Sequence, residues 1–286
     1  MATISATPGT EPRKRSARLA SLPKILILLL AVIVTLGPVA WTVLSSLRPP
    51  SESLGGSPIS FSHLSFDAYK QAFAQVDMWL LIVNSVLVTG LIALAQMITA
   101  GFAGYIFARV PFRGRGVLFG VVLATMMVPM QVTIVPVFML IRGMGLSDTL
   151  WALIIPAIPT AFGTFLMRQY YLTLPPELGE AAAIDGASPW RTFRSIYAPL
   201  STPGLAIVGI LAFNAIWNEF FRPLIMEISA RNFTLPLGLV SLQGNMGTGS
   251  VSVVLAGVII SMIPALLVFV FGQRTLRQGL TTGTVR

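Results

Sequence analysis

The chain has 286 residues, of which 55% are hydrophobic and only 10% charged, and its mean hydropathy is +0.81. Soluble domains carry about 25% charged residues, so this composition excludes an ordinary water-soluble domain. The absence of cysteine and the presence of one histidine, His63, exclude disulfides, thiolate metal sites and histidine-based triads, and the net charge of +9 points to a nucleic-acid partner only until its distribution is considered.

Residues 1–23 are polar and carry Arg13, Lys14, Arg15 and Arg18, which predicts a disordered basic N-terminal arm. An apolar run follows from Ile25 to Leu47. It is longer than the 7–15 apolar residues typical of a cleaved signal peptide, so it is expected to persist as a first span. Five more runs follow: Trp79 to Ala108, Val117 to Ile141, Leu150 to Met167, Thr202 to Pro223, and Val251 to Gly272. Each approaches the roughly 20 residues a helix needs to cross about 30 Å of hydrocarbon. They lack the short-range alternation of membrane strands. The fold class is therefore all-α, a polytopic membrane protein with six transmembrane helices in a domain over 24–273, followed by a tail over 274–286.

Six spans put both termini on one side. That side holds Arg13, Lys14, Arg15, Arg18, Lys24, Arg109, Arg113, Arg115, Arg168, Arg191, Arg194, Arg274, Arg277 and Arg286. The other holds only Arg48, Lys70, Arg142, Arg222 and Arg231. The positive-inside rule predicts an inner (cell) membrane protein with both termini cytoplasmic. The positive charge is thus a topology signal, and a nucleic-acid partner is rejected. Trp41, Trp79, Trp151 and Trp217 all fall at span ends on the outer side, where indole rings favour the interface.

Residues 173–200, between spans four and five, are too long and too well specified for a plain connection. They carry Glu177, Glu180, Asp185, Arg191 and Arg194. At about 2.5–3.5 kcal/mol per charge at the bilayer centre, these five would cost roughly 12–17 kcal/mol, so the segment does not cross. Pro175 and Pro176 open a helix, with Glu177 and Glu180 near its positive end and Ala181, Ala182 and Ala183 as strong helix formers. Asp185 and Gly186 end it. Ser188 caps a second helix with Pro189 at its first position. Two short helices on the cytoplasmic face have the shape of a docking element.

The order Glu180-Ala181-Ala182, Gly186, Ile196, Pro199 resembles the EAA motif of ATP-binding-cassette (ABC) importer permeases, with Ala198 where the consensus has leucine. The chain is similar to maltose-permease-like subunits of carbohydrate importers. The likeness covers the six spans, the Arg109 to Arg115 loop, the stretch Ala215-Ile216-Trp217-Asn218-Glu219-Phe220, and the outer loop near Gly244 to Ser250, but not the first twenty residues. It implies a type I ABC-importer permease in which Glu180, Ala181, Ala182, Asp185, Gly186, Ile196 and Pro199 couple to an ATPase. It also implies partners: a second homologous permease, two ATPase subunits that bind ATP and Mg, an extracytoplasmic solute-binding protein, and membrane lipid. The solute implied is a sugar or sugar-like molecule, with glycerol phosphate or a polyol as the alternative.

The residues themselves supply no ATPase. A P-loop needs G-x-x-x-x-G-K-[ST], and neither Lys14, Lys24 nor Lys70 precedes Ser or Thr. No enzyme-like cluster lies in the spans, so no enzymatic activity and no cofactor of its own are expected. An ion-coupled secondary transporter is the alternative of a different class. The apolar spans give it no proton relay, but coupling through backbone carbonyls stays open. Asn84, Gln131, Asn214, Asn218 and Glu219 are candidates for the substrate pathway. The amides serve equally as interhelical glue, and Glu219 as a partner for Arg222 three residues on. Pro129, Pro136, Pro156, Pro159 and Pro264 are candidate kinks. Gly90, Gly101 and Gly104 are expected at close helix contacts.

Overall fold

The computed structural model describes residues 22–51, 64–244 and 249–281, with side chains for 24–51, 64–244 and 249–273. The basic arm before residue 22, His63 and residues 245–248 of the outer loop lie outside these. Among the described residues the secondary structure is helical, without strands.

Three helices are long and apolar enough to span a membrane alone: α1 (Leu22–Ser46), α3 (Met78–Arg109) and α14 (Val251–Thr281). A short α2 (Asp67–Gln75) precedes α3, and Asp77 caps α3 by accepting from Leu80 N at 3.0 Å. The other three apolar runs are broken. The third is α4 (Arg115–Thr125) and α5 (Met130–Gly143), bent by 98°. The fourth is α6 (Leu150–Ile154), extended by a 3₁₀ turn to Ala157, then α7 (Ala161–Thr173), bent by 41°. The fifth is α11 (Thr202–Trp217) with a short α12 (Phe221–Met226) beyond it. The segment before α11 forms α8 (Glu177–Ile184), α9 (Pro189–Thr192), a π turn to Tyr197 and α10 (Ala198–Leu200). The segment after α12 holds α13 (Leu235–Val240).

The breaks follow from proline chemistry. Proline lacks an N–H and its ring collides with the carbonyl four residues earlier. Pro129 therefore ends α4 at Thr125, Pro159 ends regular helix near Ile155, and Pro223 keeps the Glu219 carbonyl out of α11. The first two are among the prolines marked in the sequence. Pro223 was read instead as the end of one continuous span, which is a correction. Pro136 and Pro264 lie inside uninterrupted helices. In lipid the carbonyls freed at a break need donors. Gln96 Nε2 donates to Ala157 O at 2.7 Å and Thr99 Oγ1 to Ile158 O at 3.2 Å, closing the α6–α7 break from α3.

The core runs along α3 in three clusters. At one end Ala68, Met78, Leu81, Trp217, Leu235 and Val253 pack together; this is the α13 end. In the middle are Val88, Ile92, Ile134, Leu153 and Met226. At the other, the α8 end, are Ala100, Tyr105, Met167, Tyr171, Tyr197 and Val208. Glycine sets the closest approach. A Cβ at Gly104 would lie 2.6 Å from Met167 Cβ and 2.8 Å from the Arg168 backbone nitrogen, and one at Gly101 would lie 2.8 Å from Leu205. Gly90 has nothing within 4 Å, so its assignment to a close contact is corrected. Trp217 is corrected too. It is buried, stacked on Phe213, and donates Nε1–H to Ser261 O at 3.0 Å, so its ring is a core element and not an interfacial anchor. Trp41, Trp79 and Trp151 are exposed. α1 packs along α14 with none of its apolar window buried in the chain, leaving a surface for lipid or another subunit.

Candidate functional site

At the α8 end a rigid two-helix arm is built from local signals. Gly186 has φ +71. Its N–H bonds to Ala183 O at 3.0 Å, and the Ala187 N–H to Ala182 O at 2.9 Å, the paired closure of a glycine C-cap. Ser188 Oγ accepts from Arg191 N at 3.3 Å and starts α9 with Pro189. Ala182 is buried against the bundle, whereas Glu180, Ala181, Asp185 and Gly186 are exposed. Ile184, at the tip of α8, is 87% exposed. Of the remaining marked residues, Ile196 is half-buried and Pro199 exposed.

The arm is fastened by groups the sequence did not single out for this purpose. Arg109, the last residue of α3, donates Nε and Nη2 to Tyr171 O at 3.2 and 2.6 Å and Nη2 also to Leu174 O. Its guanidinium lies 5.4 Å from the Tyr197 ring centroid, within reach of a cation–π contact. Tyr105 Oη donates to Pro189 O at 3.1 Å, and the Tyr171 and Ser201 hydroxyls share a bond of 3.0 Å. Phe102, Tyr105, Trp190, Phe193 and Tyr197 form a chain of ring contacts with centroids 5.1–5.9 Å apart, linking α3 to the arm. A cavity of about 340 Å³ lies between α8 and the end of α3, lined by Tyr105, Arg109, Gly179, Glu180 and Tyr197 among others. The arm is thus tied to the ends of α3 and α7. The only signal for this in the sequence was Arg109 at a span end.

The pathway candidates separate. Asn84 is 4% exposed and donates Nδ2 to Arg231 O at 2.8 Å and Phe233 O at 3.0 Å, so it ties α3 to the segment after α12. Gln131, at the start of α5, and Asn214 and Asn218, one turn apart on α11, are exposed on this chain. Asn218 Nδ2 bonds only within its own helix, to Asn214 O at 2.8 Å. Glu219 and Arg222 form the expected ion pair, 3.1 Å apart and mostly buried. Arg222 also donates to Leu153 O at 3.0 Å and approaches Met130 Sδ at 3.7 Å. This ion pair therefore sits where the broken third, fourth and fifth runs meet. Among the described residues no cluster of three or more potential metal ligands occurs.

Three long helices, the bent helix pairs between them and a projecting helical arm describe a multi-pass membrane protein. The comparisons identify which kind. Residues 96–282 match the family described as binding-protein-dependent transport system inner membrane component, and the chain belongs to that family. It is 35% identical over 253 residues to the arabinooligosaccharides transport system permease protein AraQ of Halalkalibacterium halodurans, covering 87% of this chain and 90% of that protein. It is 32% identical to the lactose transport system permease protein LacG of Rhizobium radiobacter (92% and 96% covered), and 31% identical to the sn-glycerol-3-phosphate transport system permease protein UgpE of Agrobacterium fabrum (89% and 94%). A crystal structure of a bacterial ABC transporter that imports the acidic polysaccharide alginate contains a chain with the same fold. Its TM-score is 0.78 at 23% identity, over 93% of this chain and 99% of that one. The fold is that of a type I importer permease, and the protein is a multi-pass component of the inner membrane.

Proposed function

We propose that this chain is one of two non-identical permeases of an ATP-driven sugar importer. Two separate ATPase subunits bind ATP and Mg, an extracytoplasmic protein delivers the solute, and this chain itself is neither an enzyme nor a cofactor carrier. Both termini and the α8 arm face the cytoplasm, and the α13 end faces outward. Glu180, Ala181, Ala182, Asp185, Gly186, Ile196 and Pro199 belong to the arm that engages an ATPase. The observation that carries this reading is an exposed apolar tip, Ile184, on a capped helix of an arm whose second helix is bonded to α3 through Tyr105, while Arg109 ties α3 to the end of α7 that leads into the arm. Both helices of the arm leave large apolar side chains exposed, Ile184 and Trp190, which a partner can cover. An arm coupled to α3 and α7 transmits the displacement of its partner to the spans.

For the solute, the exposed amides of Gln131, Asn214 and Asn218 and the nearby Glu219 supply hydroxyl-binding chemistry suited to sugars. The substrates named for the arabinooligosaccharide and lactose relatives support that class. The Agrobacterium relative supports glycerol phosphate as the second reading, and competition of uptake by unlabelled sugar or by glycerol 3-phosphate separates the two.

The test of the arm is a pair of variants. Gly186→Val forces a β-branched residue into φ +71, and Glu180→Lys reverses an exposed charge facing the ATPase. Both are expected to insert normally, to lose solute uptake at least about tenfold and to weaken co-purification of the ATPase. Gly186→Asn, which tolerates that backbone conformation, should transport. Normal uptake by the first two variants with the ATPase bound would refute the assignment.

A further inference from the structure

The transport reading makes no use of a carboxyl pair at the α13 end. Asp148 lies in the connection between α5 and α6, and it is the one non-glycine residue with positive φ (55°) among the described residues. Its carboxylate reaches the segment that follows α12. Oδ1 accepts from Ile228 N at 3.0 Å, Ser229 N at 2.8 Å and Asn232 Nδ2 at 3.2 Å, and Oδ2 accepts from the Ser229 hydroxyl. Asn232 Nδ2 also donates to the Asp148 carbonyl at 2.5 Å. These donors, the Ser229 hydroxyl first and the backbone N–H groups next, hold the Asp148 carboxyl well below the usual carboxylate range. Asp148 is an ionised staple between two outer connections.

Glu227 directly precedes the stapled residues. It is 6% exposed, and neither of its oxygens has a hydrogen-bond partner. Ser147 Oγ, beside Asp148 in the chain, is likewise buried and unpartnered. A bare carboxylate in such a place finds no donor among the described residues, so the neutral acid is the form that fits. Burial, and then the negative charge of Asp148, push the Glu227 carboxyl up to about 8. Among the causes acting on Glu227 from the described residues, no cation offsets these. α12 packs on α5 and α6. Arg222 of α12 is engaged by Glu219 and Leu153, Arg142 of α5 is exposed, and α6 carries no charge. Arg231, in Glu227's own segment, is exposed as well. A bound metal ion fits less well than a proton, because both Asp148 oxygens face N–H or O–H donors, which repel a cation.

We propose that Glu227 and Asp148 form a proton-operated latch on the outer face of the transporter. With Glu227 protonated, the stretch 228–232 stays stapled to the α5–α6 connection. When Glu227 gives its proton to an alkaline exterior, two carboxylates stand together in a site without counter-charge, and the stretch is released. The direction follows from the two groups. Glu227 binds its proton more tightly in the closed latch, so closure is strongest below its ordinary value of 4.5 and weakens as pH rises to about 8. Asp148 acts oppositely, and its staple is lost only as pH falls below its ordinary 3.8. The latch is therefore closed in mildly acidic and neutral media and opens on the alkaline side. The proposal shares the outward orientation of the α13 end with the functional reading but does not depend on the solute or on coupling.

The chain has no cysteine, so single cysteines report cleanly. Ser147→Cys probes the buried site, and Met144→Cys, 53% exposed in the same connection, corrects for ionisation of the thiol itself. Both are introduced into the assembled transporter in cells and labelled with a membrane-impermeant maleimide. The Ser147→Cys to Met144→Cys labelling ratio is expected to rise more than about tenfold between pH 6 and 8 and to level off above that. Glu227→Gln, neutral at every pH, should hold the ratio at its low value, and EDTA should not move it. A flat ratio in the chain with native Glu227 would overturn the latch, and that titration stands even if the glutamine variant fails to fold. A ratio that follows EDTA at fixed pH would replace the proton with a metal ion. Labelling of Met144→Cys only from the cytoplasmic side would overturn the orientation and the latch together, while a loss of uptake in arm variants leaves the latch untouched.

Discussion

The two ends of the bundle are held together by different kinds of force. At the α8 end, tilted and edge-on rings and one arginine fasten a short helical arm whose caps lie within a few residues of the groups they satisfy. At the α13 end, a long irregular segment is held by polar side chains from distant parts of the chain. Asn84 bonds to the carbonyls of Arg231 and Phe233, Ser85 Oγ accepts from Leu235 N at 2.6 Å, and Asp148 accepts from Ile228 and Ser229. Ring contacts are insensitive to pH and tolerate small displacements, whereas directed hydrogen bonds either form or fail. The arm thus combines rings with a few hydrogen bonds from Tyr105 and Arg109, and the segment at the α13 end depends on dispersed polar ties.

This contrast can be broken by substitution. The largest effect is expected from Gly104→Leu, because even its Cβ would collide with Met167 and the Arg168 backbone. Overpacking of this kind costs about 1–3 kcal/mol or more, here acting on the α3–α7 contact that carries the arm, and should lower the thermal midpoint of the detergent-purified chain by several degrees. Next is Asn84→Ala at the other end. It strands two backbone carbonyls in a buried place, a loss of about 2 kcal/mol. The expected readout is faster proteolysis within 228–240 with the arm unaffected; equal protection in both chains would show that the tie is incidental. Asp148→Asn removes the charge that gathers the Ile228 and Ser229 N–H groups, and is expected to loosen local closure, measured as faster amide exchange at Ser229. Ser188→Ala is the smallest, about 1 kcal/mol from one N-cap bond, and should reduce uptake only modestly.

The same contrast governs what could be read from the sequence. Pro176, Gly186 and Ser188 act on neighbours within five residues, so the arm and both its caps were legible, as were the six apolar runs and the Glu219–Arg222 pair. The fastening of the arm was not, because Arg109 and Tyr171 are 62 residues apart. Asn84 lies 147 residues from the carbonyl of Arg231, and an amide in an apolar run gives no sign of such a partner. Trp217 illustrates a failure of a different kind. Its position at a span end suited an interfacial ring, but whether that end meets headgroups or other helices depends on packing that periodicity does not encode. Pro223 was taken as the end of a span and not as the cause of a break one turn earlier, since α12 beyond it is too short to show in a hydropathy pattern.

The 98° bend between α4 and α5 also bears on how the protein is made. At 1.5 Å per residue, eleven and fourteen residues give helices of about 16 and 21 Å, each too short for a hydrocarbon layer of about 30 Å. An insertion machinery that admits helices to lipid one at a time, by length and apolarity, meets two half-segments here and a complete one in α3 just before them. α3 can partition into the membrane as it emerges. α4 and α5 must be admitted together, and the helices they pack on, α7 and α12, emerge after them. Biogenesis of this chain therefore has a built-in order, in which α3 enters ahead of the broken third run and that run is settled only once α7 and α12 have followed.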